Sequence, residues 1–151
     1  NAFFSWSAMT LGPPLLPPVV PEMALVSAGA VGGALLRFAS SEAAKRRDAG
    51  PLVILALNIL GSFALGSLSG NGAARRQQLL LGVGFCGAFT TFSTFSMDTI
   101  TMIQHGQFRR AAAYVLASNT LSLGAAYAGY CFKLPTPMVH KLRAPLKANG
   151  G

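Results

Sequence analysis

The stretch at residues 82–98 limits what this chain can fold into more than any other. Three glycines open it, at Gly82, Gly84 and Gly87, and a run of threonines, serines and phenylalanines follows. Glycine and clustered β-branched threonine both weaken an α-helix, yet the stretch lies inside a long apolar region. In lipid, an interrupted helix is tolerated only where protein or a water-filled path satisfies the freed backbone groups. The stretch is therefore predicted to lie at the centre of the protein, where a small ion or polar solute is handled.

The composition indicates a membrane protein. Hydrophobic residues make up 52% of the 151 residues and charged residues 11%, which is well below the roughly 25% typical of soluble domains. The net charge is +8, but the basic residues lie in short clusters between apolar runs, where membrane proteins carry them. This distribution argues against a nucleic-acid partner and predicts an all-α integral membrane protein in contact with the lipid bilayer.

Four apolar segments divide the chain, each close to the roughly 20 residues that span a bilayer as a helix. They cover residues 21–39, 51–68, 79–103 and 111–132. We expect residues 23–132 to form one domain of four transmembrane helices with a break in the third. Residues 1–22 are expected to be an unstructured or wrongly assigned leader, and residues 133–151 a flexible basic tail.

Small residues in the first segment predict close helix packing. Gly29 and Gly33 stand at the GxxxG spacing that lets helix backbones approach each other in lipid. An enzyme is not indicated, because the chain contains no nucleophile elbow, zinc motif or phosphate loop. Cys86 and Cys131 belong to no metal-binding pattern, and we expect them to pack as small hydrophobic residues.

The basic residues divide equally between the two membrane faces that four helices define. One face carries Arg75, Arg76, Lys133, Lys141, Arg143 and Lys147, and the other carries Arg37, Lys45, Arg46, Arg47, Arg109 and Arg110. Because an excess of Lys and Arg sets orientation, an equal division predicts insertion both ways. Two copies can then pair antiparallel about an axis in the membrane plane. Chance in short loops accounts for the equal division just as well.

Aromatic and hydroxyl side chains in the third segment are candidates for contact with an anion. Phe92 and Phe95 are three residues apart and share a face wherever the segment is helical. The positive edge of a phenyl ring can meet an anion without burial of a full charge, and the hydroxyls of Ser93 and Thr94 can donate hydrogen bonds. The alternative is that the two rings only pack against neighbouring helices.

Two polar stripes follow the helical period on other segments. Asn58 and Ser62 are four residues apart in the second segment, and Tyr114, Ser118 and Ser122 follow each other at the same spacing in the fourth. Such a stripe either lines a path or joins helices by modest hydrogen bonds. Spacing alone leaves both interpretations open.

Two charged residues are further candidates. Asp98 is the only carboxylate within the second to fourth segments, and ionisable residues inside a membrane are functional candidates by default. Arg37 ends the first segment. It either extends to the lipid headgroups or raises the anion concentration at a pore mouth.

Three pieces of the sequence resemble the CrcB/Fluc family of fluoride channels. They are residues 32–38, which read Gly-Gly-Ala-Leu-Leu-Arg-Phe, residues 58–66, which begin Asn-Ile-Leu-Gly-Ser, and residues 84–95, which end Thr-Thr-Phe-Ser-Thr-Phe. The resemblance covers about residues 23–132 in the family's order of four helices. The third piece is the most specific of the three.

The resemblance implies a dual-topology antiparallel homodimer in a cell membrane of the bacterial type. Such a dimer exports fluoride passively through two pores and holds a structural sodium ion at its centre. The backbone carbonyls of Gly87 and Thr90 would bind that ion. The remaining correspondences are pore residues Phe92, Phe95, Asn58, Tyr114, Ser118 and Ser122, with Arg37 and Asp98 at the pore mouth. The family usually has glutamate where this chain has Asp98.

Two other functions were weighed against the channel. A small proton-coupled exporter of cationic drugs also has four helices and dual topology, but it needs a carboxylate deep in the first helix, and none is present there. A non-conducting structural subunit explains the glycines for helix packing. It does not explain the phenylalanines, Asn58 and the serine stripe together.

Overall fold

The computed structural model describes residues 19–46 and 49–135, and every regular element in these ranges is helical. The long helices are α1, α2, α5 and α6, and α3, a π-helix and α4 lie between α2 and α5. Their bounds are α1 Val19–Lys45, α2 Gly50–Gly70, α3 Arg75–Gln77, the π-helix Gln78–Cys86, α4 Gly87–Phe89, α5 Phe92–Gln104 and α6 Phe108–Cys131.

Three helical stretches are long and apolar enough to cross a membrane, among the residues described. They are α1, α2 and the stretch Arg75–Gln104, which runs from α3 to α5. The chain is therefore a multi-pass membrane protein. Helix α6 has 24 residues, enough to span a bilayer, but its arginines, asparagine and hydroxyl side chains keep it out of this group. It contains Arg109, Arg110, Asn119 and Thr120.

Helix α1 is longer than the segment predicted from hydrophobicity. The sequence predicted a loop from residue 40, whereas the helix continues to Lys45. Ala43 and Ala44 favour a helix, and Lys45 Nζ lies 2.6 Å from the Glu42 carboxylate, three residues earlier on the helix. At its other end α1 begins at Val19, four residues before the predicted domain start. The rest of the predicted leader, and the predicted tail beyond residue 135, lie outside the described residues.

Glycines bring α1 into backbone contact with the π-helix. A Cβ atom at Gly29 would collide with the Leu80 carbonyl, and one at Gly33 with the Phe85 carbonyl. From the opposite side, a Cβ at Gly84 would lie 3.1 Å from the Gly29 Cα. The close approach predicted from the Gly29/Gly33 spacing is confirmed.

A second glycine contact joins α2 to α6, the most extensively packed pair of helices. Gly66 and Gly70 face the Ala126 and Tyr130 carbonyls, and Gly129 of α6 faces the Phe63 carbonyl. None of these positions has room for a side chain. The fold is therefore two tightly joined helix pairs, α1 with the π-helix and α2 with α6. The third helical stretch, which contains the π-helix, also contacts α2 and α6 and so links the pairs.

Candidate functional site at the helix break

The third helical stretch is interrupted at Thr90 and Thr91. Both residues are extended, with ψ 157° at Thr90 and φ −150°, ψ 116° at Thr91. The buried backbone of Thr91 is paired with one side chain from α2. Its N–H donates to Asn58 Oδ1 at 2.8 Å, and its carbonyl accepts from Asn58 Nδ2 at 3.2 Å. Asn58 therefore satisfies both polar groups of a residue that no longer belongs to a helix.

Arg37 of α1 supplies a further partner to the interrupted backbone. Its Nε donates to the Ala88 carbonyl at 3.0 Å, and an unbroken helix would satisfy that carbonyl with the N–H four residues on. On the same turn, the Thr90 hydroxyl donates back to the Cys86 carbonyl at 2.9 Å. Arg37 thus lies beside the break, rather than extending away from it.

The start of α5 is capped by a cluster of hydroxyls. Thr91 Oγ1 accepts the Thr94 N–H at 3.2 Å, as an N-cap residue does. The same oxygen lies 3.1 Å from Ser93 Oγ and donates to Thr94 Oγ1 at 3.1 Å. Ser93 and Thr94, which the sequence predicted to contact an anion, are therefore engaged with the cap, and neither lines the pocket described next.

A pocket of about 300 Å³ opens beside the break. It brings together five predicted residues from three helices: Asn58, Phe92, Phe95, Ser118 and Ser122. Ser62, Thr90 and Thr91 complete its polar lining, together with Asn119, which the sequence analysis did not single out. Only the helical spacing of Asn119 from Ser122 could have signalled it.

The two phenylalanines share a face but differ in exposure. Their ring centroids are 5.4 Å apart with planes tilted by 46°. Phe95 is 7% exposed, whereas Phe92 is 76% exposed. Phe95 also packs against Tyr114 of α6, with centroids 5.3 Å apart. Packing against a neighbour is therefore the environment of Phe95, while Phe92 faces outward from the protomer.

The polar stripe of α6 faces the same region. The hydroxyl oxygens of Ser118 and Ser122 are buried and have no hydrogen-bond partner in the described part of the chain. Buried hydroxyls usually have a partner, so these two are available to a ligand in the pocket. One turn earlier, the Tyr114 hydroxyl lies 3.4 Å from Asp98 Oδ2. Arg37, Asp98 and Tyr114 lie around the pocket without lining it.

A second cavity, of about 540 Å³, lies on the other side of the break. Gly87 and Thr90 line it with apolar residues of α2 and the π-helix, and Thr90 also lines the first pocket. Gly87 is exposed, with only the Gly82 carbonyl within 4.0 Å of a Cβ built there. Of the two residues named for a metal ion, Gly87 therefore borders the second cavity alone, whereas Thr90 borders both the second cavity and the pocket that contains the predicted anion contacts.

Relatives of known description match most of the chain. The fluoride-specific ion channel FluC 1 of Geobacillus kaustophilus is 42% identical over 106 residues, which are 70% of this chain and 91% of that protein. FluC 1 of Streptomyces avermitilis is 43% identical over 114 residues, 72% and 92% of the two chains. FluC 2 of Synechococcus sp. (strain CC9902) is 41% identical over 109 residues, 72% and 77%.

A family model agrees with these relatives. The model described as CrcB-like protein, Camphor Resistance (CrcB), matches residues 24–130. That range runs from the first turns of α1 almost to the end of α6, and it includes the break and every residue that lines the first pocket. The chain therefore belongs to the CrcB family.

Proposed function

We propose that this chain is a fluoride-selective channel of the cell membrane that lets fluoride leave the cytoplasm passively. The observation that carries the proposal is the pocket at the break, in which an amide, two phenyl rings and two unpaired hydroxyls converge. The relatives' printed description as fluoride-specific ion channels supports it. Neither the drug exporter nor the structural subunit is favoured by these relatives, and a channel needs no catalytic residues.

The pocket has the chemistry that a small, tightly hydrated anion needs. Fluoride can leave water only where other donors replace its hydration shell at short range. Ser118 and Ser122 offer hydroxyls without partners, and Asn58 Nδ2 has a second N–H besides the one given to Thr91. The ring edges of Phe92 and Phe95 add positive potential without a formal charge. A narrow path of this kind excludes larger anions by size.

The driving force requires no pump. Hydrogen fluoride enters through lipid and dissociates in the cytoplasm, and the anion then follows the membrane potential outward. That potential contributes about 2.3 kcal/mol per charge per 100 mV. Arg37 donates to the Ala88 carbonyl beside the break, and Asp98 accepts from Tyr114; we assign both to the pore mouth. A cation there attracts the anion, and Tyr114 fixes the carboxylate through its hydroxyl.

We propose that four helices span the membrane and that two copies assemble antiparallel. Phe92 and Asn119 line the pocket yet are exposed in the protomer. A polar group facing lipid is costly, so a second copy would cover this face. The equal division of basic residues supports insertion in both orientations, although Arg47 and the predicted tail residues Lys141, Arg143 and Lys147 lie outside the described residues.

A structural sodium ion at the dimer centre fits the backbone at the break. Hard cations prefer oxygen ligands, and an unbroken helix would pair the Gly87 and Thr90 carbonyls with the N–H groups of Thr91 and Thr94. Those donors instead go to Asn58 Oδ1 and Thr91 Oγ1. Gly87 and Thr90 would therefore hold the cation through their carbonyl oxygens. When bound, sodium would supply positive charge that joins two copies.

Fluoride efflux from liposomes tests this function. Purified protein is reconstituted into vesicles loaded with potassium fluoride, and a fluoride electrode records release after valinomycin is added. We expect rapid fluoride release, and slow chloride release from vesicles loaded with potassium chloride. Equal release of both anions would contradict the selectivity. No fluoride release from folded dimers would contradict the channel itself.

A further inference from the structure

Side chains from two other helices hold the backbone on both sides of the break. Arg37 of α1 donates to the Ala88 carbonyl, and Asn58 of α2 pairs with both polar groups of Thr91. Two of these bonds replace bonds of an unbroken helix, in which the Ala88 carbonyl accepts from residue 92 and the Thr91 N–H donates to the Gly87 carbonyl. The two side chains thus decide which backbone groups at the break keep a partner.

Asn58 in particular determines whether the Gly87 carbonyl is hydrogen-bonded to the backbone or free. Thr91 is 8% exposed, and a buried N–H without an acceptor is costly. With Asn58 Oδ1 in place, this N–H has its acceptor at 2.8 Å. Without it, the Gly87 carbonyl is the acceptor that a regular helix would offer. Pairing with Thr91 would then remove Gly87 as an oxygen ligand for a cation.

The two side chains are carried on helix faces that glycines bring against the break. Gly33 lies one turn before Arg37 and leaves no room for a Cβ beside the Phe85 carbonyl and the Phe89 amide. Gly61 lies one turn after Asn58, and a Cβ there would collide with the Thr90 methyl group. Both helices therefore approach closely enough for short polar bonds to the backbone of the break.

We propose that Asn58 and Arg37 are positioning residues for a monovalent cation. Asn58 accepts the Thr91 N–H and so leaves the Gly87 carbonyl free to bind the cation, and Arg37 holds the neighbouring Ala88 carbonyl, which keeps the backbone in its interrupted form beside that site. Asn58 then has two tasks: its amide holds the break, and its second N–H lies at the anion pocket. The proposal rests on the proposed function only in the cation that it names. Its test therefore measures sodium binding instead of fluoride passage.

The test is a sodium titration of thermal stability. Protein purified without sodium is unfolded in detergent at increasing sodium chloride, with N-methyl-D-glucamine chloride keeping the ionic strength constant. A cation that binds only the folded state raises the midpoint as its concentration passes the dissociation constant. We expect Asn58→Leu, which removes both bonds at similar volume, to raise the half-saturating sodium concentration at least tenfold.

Asn71→Leu is the matched control, because Asn71 is a buried asparagine, but none of its hydrogen bonds in the described chain involves the break. It follows α2 directly, and its amide pairs with the Ser67 and Phe132 carbonyls. We expect Asn71→Leu to lower the midpoint at every sodium concentration and to keep the parent's half-saturation. A general loss of stability would affect both variants alike.

Arg37→Lys gives an independent answer if Asn58→Leu does not fold. Lysine keeps the positive charge, so the electrostatic repulsion of the cation is unchanged. The substitution removes only the hydrogen bond from Nε to the Ala88 carbonyl. We expect at least a threefold rise in half-saturation. Parent-like half-saturation in Asn58→Leu, or in Arg37→Lys where only that variant folds, overturns the proposal.

The parent protein separates this proposal from the proposed function. If the parent conducts fluoride but its midpoint does not depend on sodium, the cation proposal is overturned and the channel is not. If the parent binds sodium but releases no fluoride, only the channel is overturned.

Discussion

Two asparagines, Asn58 within α2 and Asn71 directly after it, use the same chemistry on different parts of the chain. Asn58 pairs with the N–H and carbonyl of Thr91 at the break. Asn71 donates to the Phe132 carbonyl at 2.8 Å and accepts the Leu134 N–H at 2.9 Å, where α6 ends. In each case one amide joins two segments that are far apart in sequence by satisfying backbone groups that a helix has released.

The difference lies in what stays unpaired beside each asparagine. Beside Asn71 the released backbone groups are covered, since Lys133 Nζ also donates to the Gly70 carbonyl, at the end of α2, at 3.1 Å. At the break, the usual donors to the Gly87 and Thr90 carbonyls are paired elsewhere. Among the described residues, unpaired serine hydroxyls lie near both asparagines, Ser118 and Ser122 at the pocket and Ser67 one turn before Asn71, so the difference is in the backbone carbonyls. Asn71 pairs with the backbone groups released at a helix end, whereas Asn58 holds a helix interrupted and leaves backbone carbonyls beside it without their usual donors.

Replacing each asparagine by aspartate gives the largest expected contrast. Asn58→Asp removes the donor to Thr91 and places a carboxylate at the pocket, where like charges 4 Å apart repel by about 4 kcal/mol. Since 1.4 kcal/mol is a factor of about ten, we expect fluoride efflux to fall at least about a hundredfold. Asn71→Asp, in the same liposome assay, should stay within about twofold of the parent. Similar losses in both variants would contradict the distinction.

Phe92→Ile tests the exposed ring at the pocket. Isoleucine keeps an apolar side chain but lacks the positive ring edge, which is worth up to about 1.5 kcal/mol in aromatic contacts. We expect fluoride efflux to fall about tenfold and the chain still to fold, because Phe92 is 76% exposed and loses little packing within its own chain. Phe108→Leu, at a ring 65% exposed outside the pocket, is the control and should conduct normally.

Ser118→Ala tests a hydroxyl that has no partner within the described chain. Its removal deletes one donor to the anion, worth about 1 kcal/mol, so we expect efflux to fall about fivefold. Because no protein hydrogen bond is lost, the free energy of unfolding should not decrease. A variant with reduced stability and normal efflux would assign this serine to helix packing instead.

Asn71→Ala should have the smallest effect on efflux and a clear effect on stability. It leaves the Phe132 carbonyl and the Leu134 N–H without their partner, at a cost of about 2 kcal/mol in the free energy of unfolding. Fluoride efflux per amount of folded protein should match the parent. Denaturation monitored by circular dichroism measures the first quantity and the liposome assay the second. A large loss of efflux would mean that both asparagines support the pore.

Much of this arrangement follows from residue spacing. Gly29 and Gly33 indicated a close helix contact, and the α1 contact with the π-helix lies there. The period of Ser118 and Ser122, and the position of Asn58, indicated polar faces that converge on one pocket. These features could be predicted from the sequence because each depends on the residue spacing within a single helix.

Contacts between helices could not be predicted from the sequence in the same way. The sequence placed Asn58 on a polar stripe, but its partner Thr91 lies 33 residues away, and no local pattern encodes that distance. Gly129 of α6 gave no such signal because no second glycine stands four residues from it in the sequence, although its contact with the Phe63 carbonyl is as close as those of Gly29 and Gly33. The opposite exposures of Phe92 and Phe95 depend on how α5 packs against α6, and side chains from both helices determine that packing.

The π-helix at Gln78–Cys86 has a consequence for how this chain tolerates change in length. A π-helical turn accommodates more residues than an α-helical turn, and each residue of an α-helix turns the chain by about 100°. Deleting one residue here would let the segment tighten to ordinary α-helical pitch. Because the smaller number of residues is then offset by the larger rotation per residue, the residues after it keep much of their direction, and Thr90 and Thr91 still face Asn58. A one-residue deletion inside the π-helix should therefore be tolerated better than one inside α2, where every later residue would turn by about 100°.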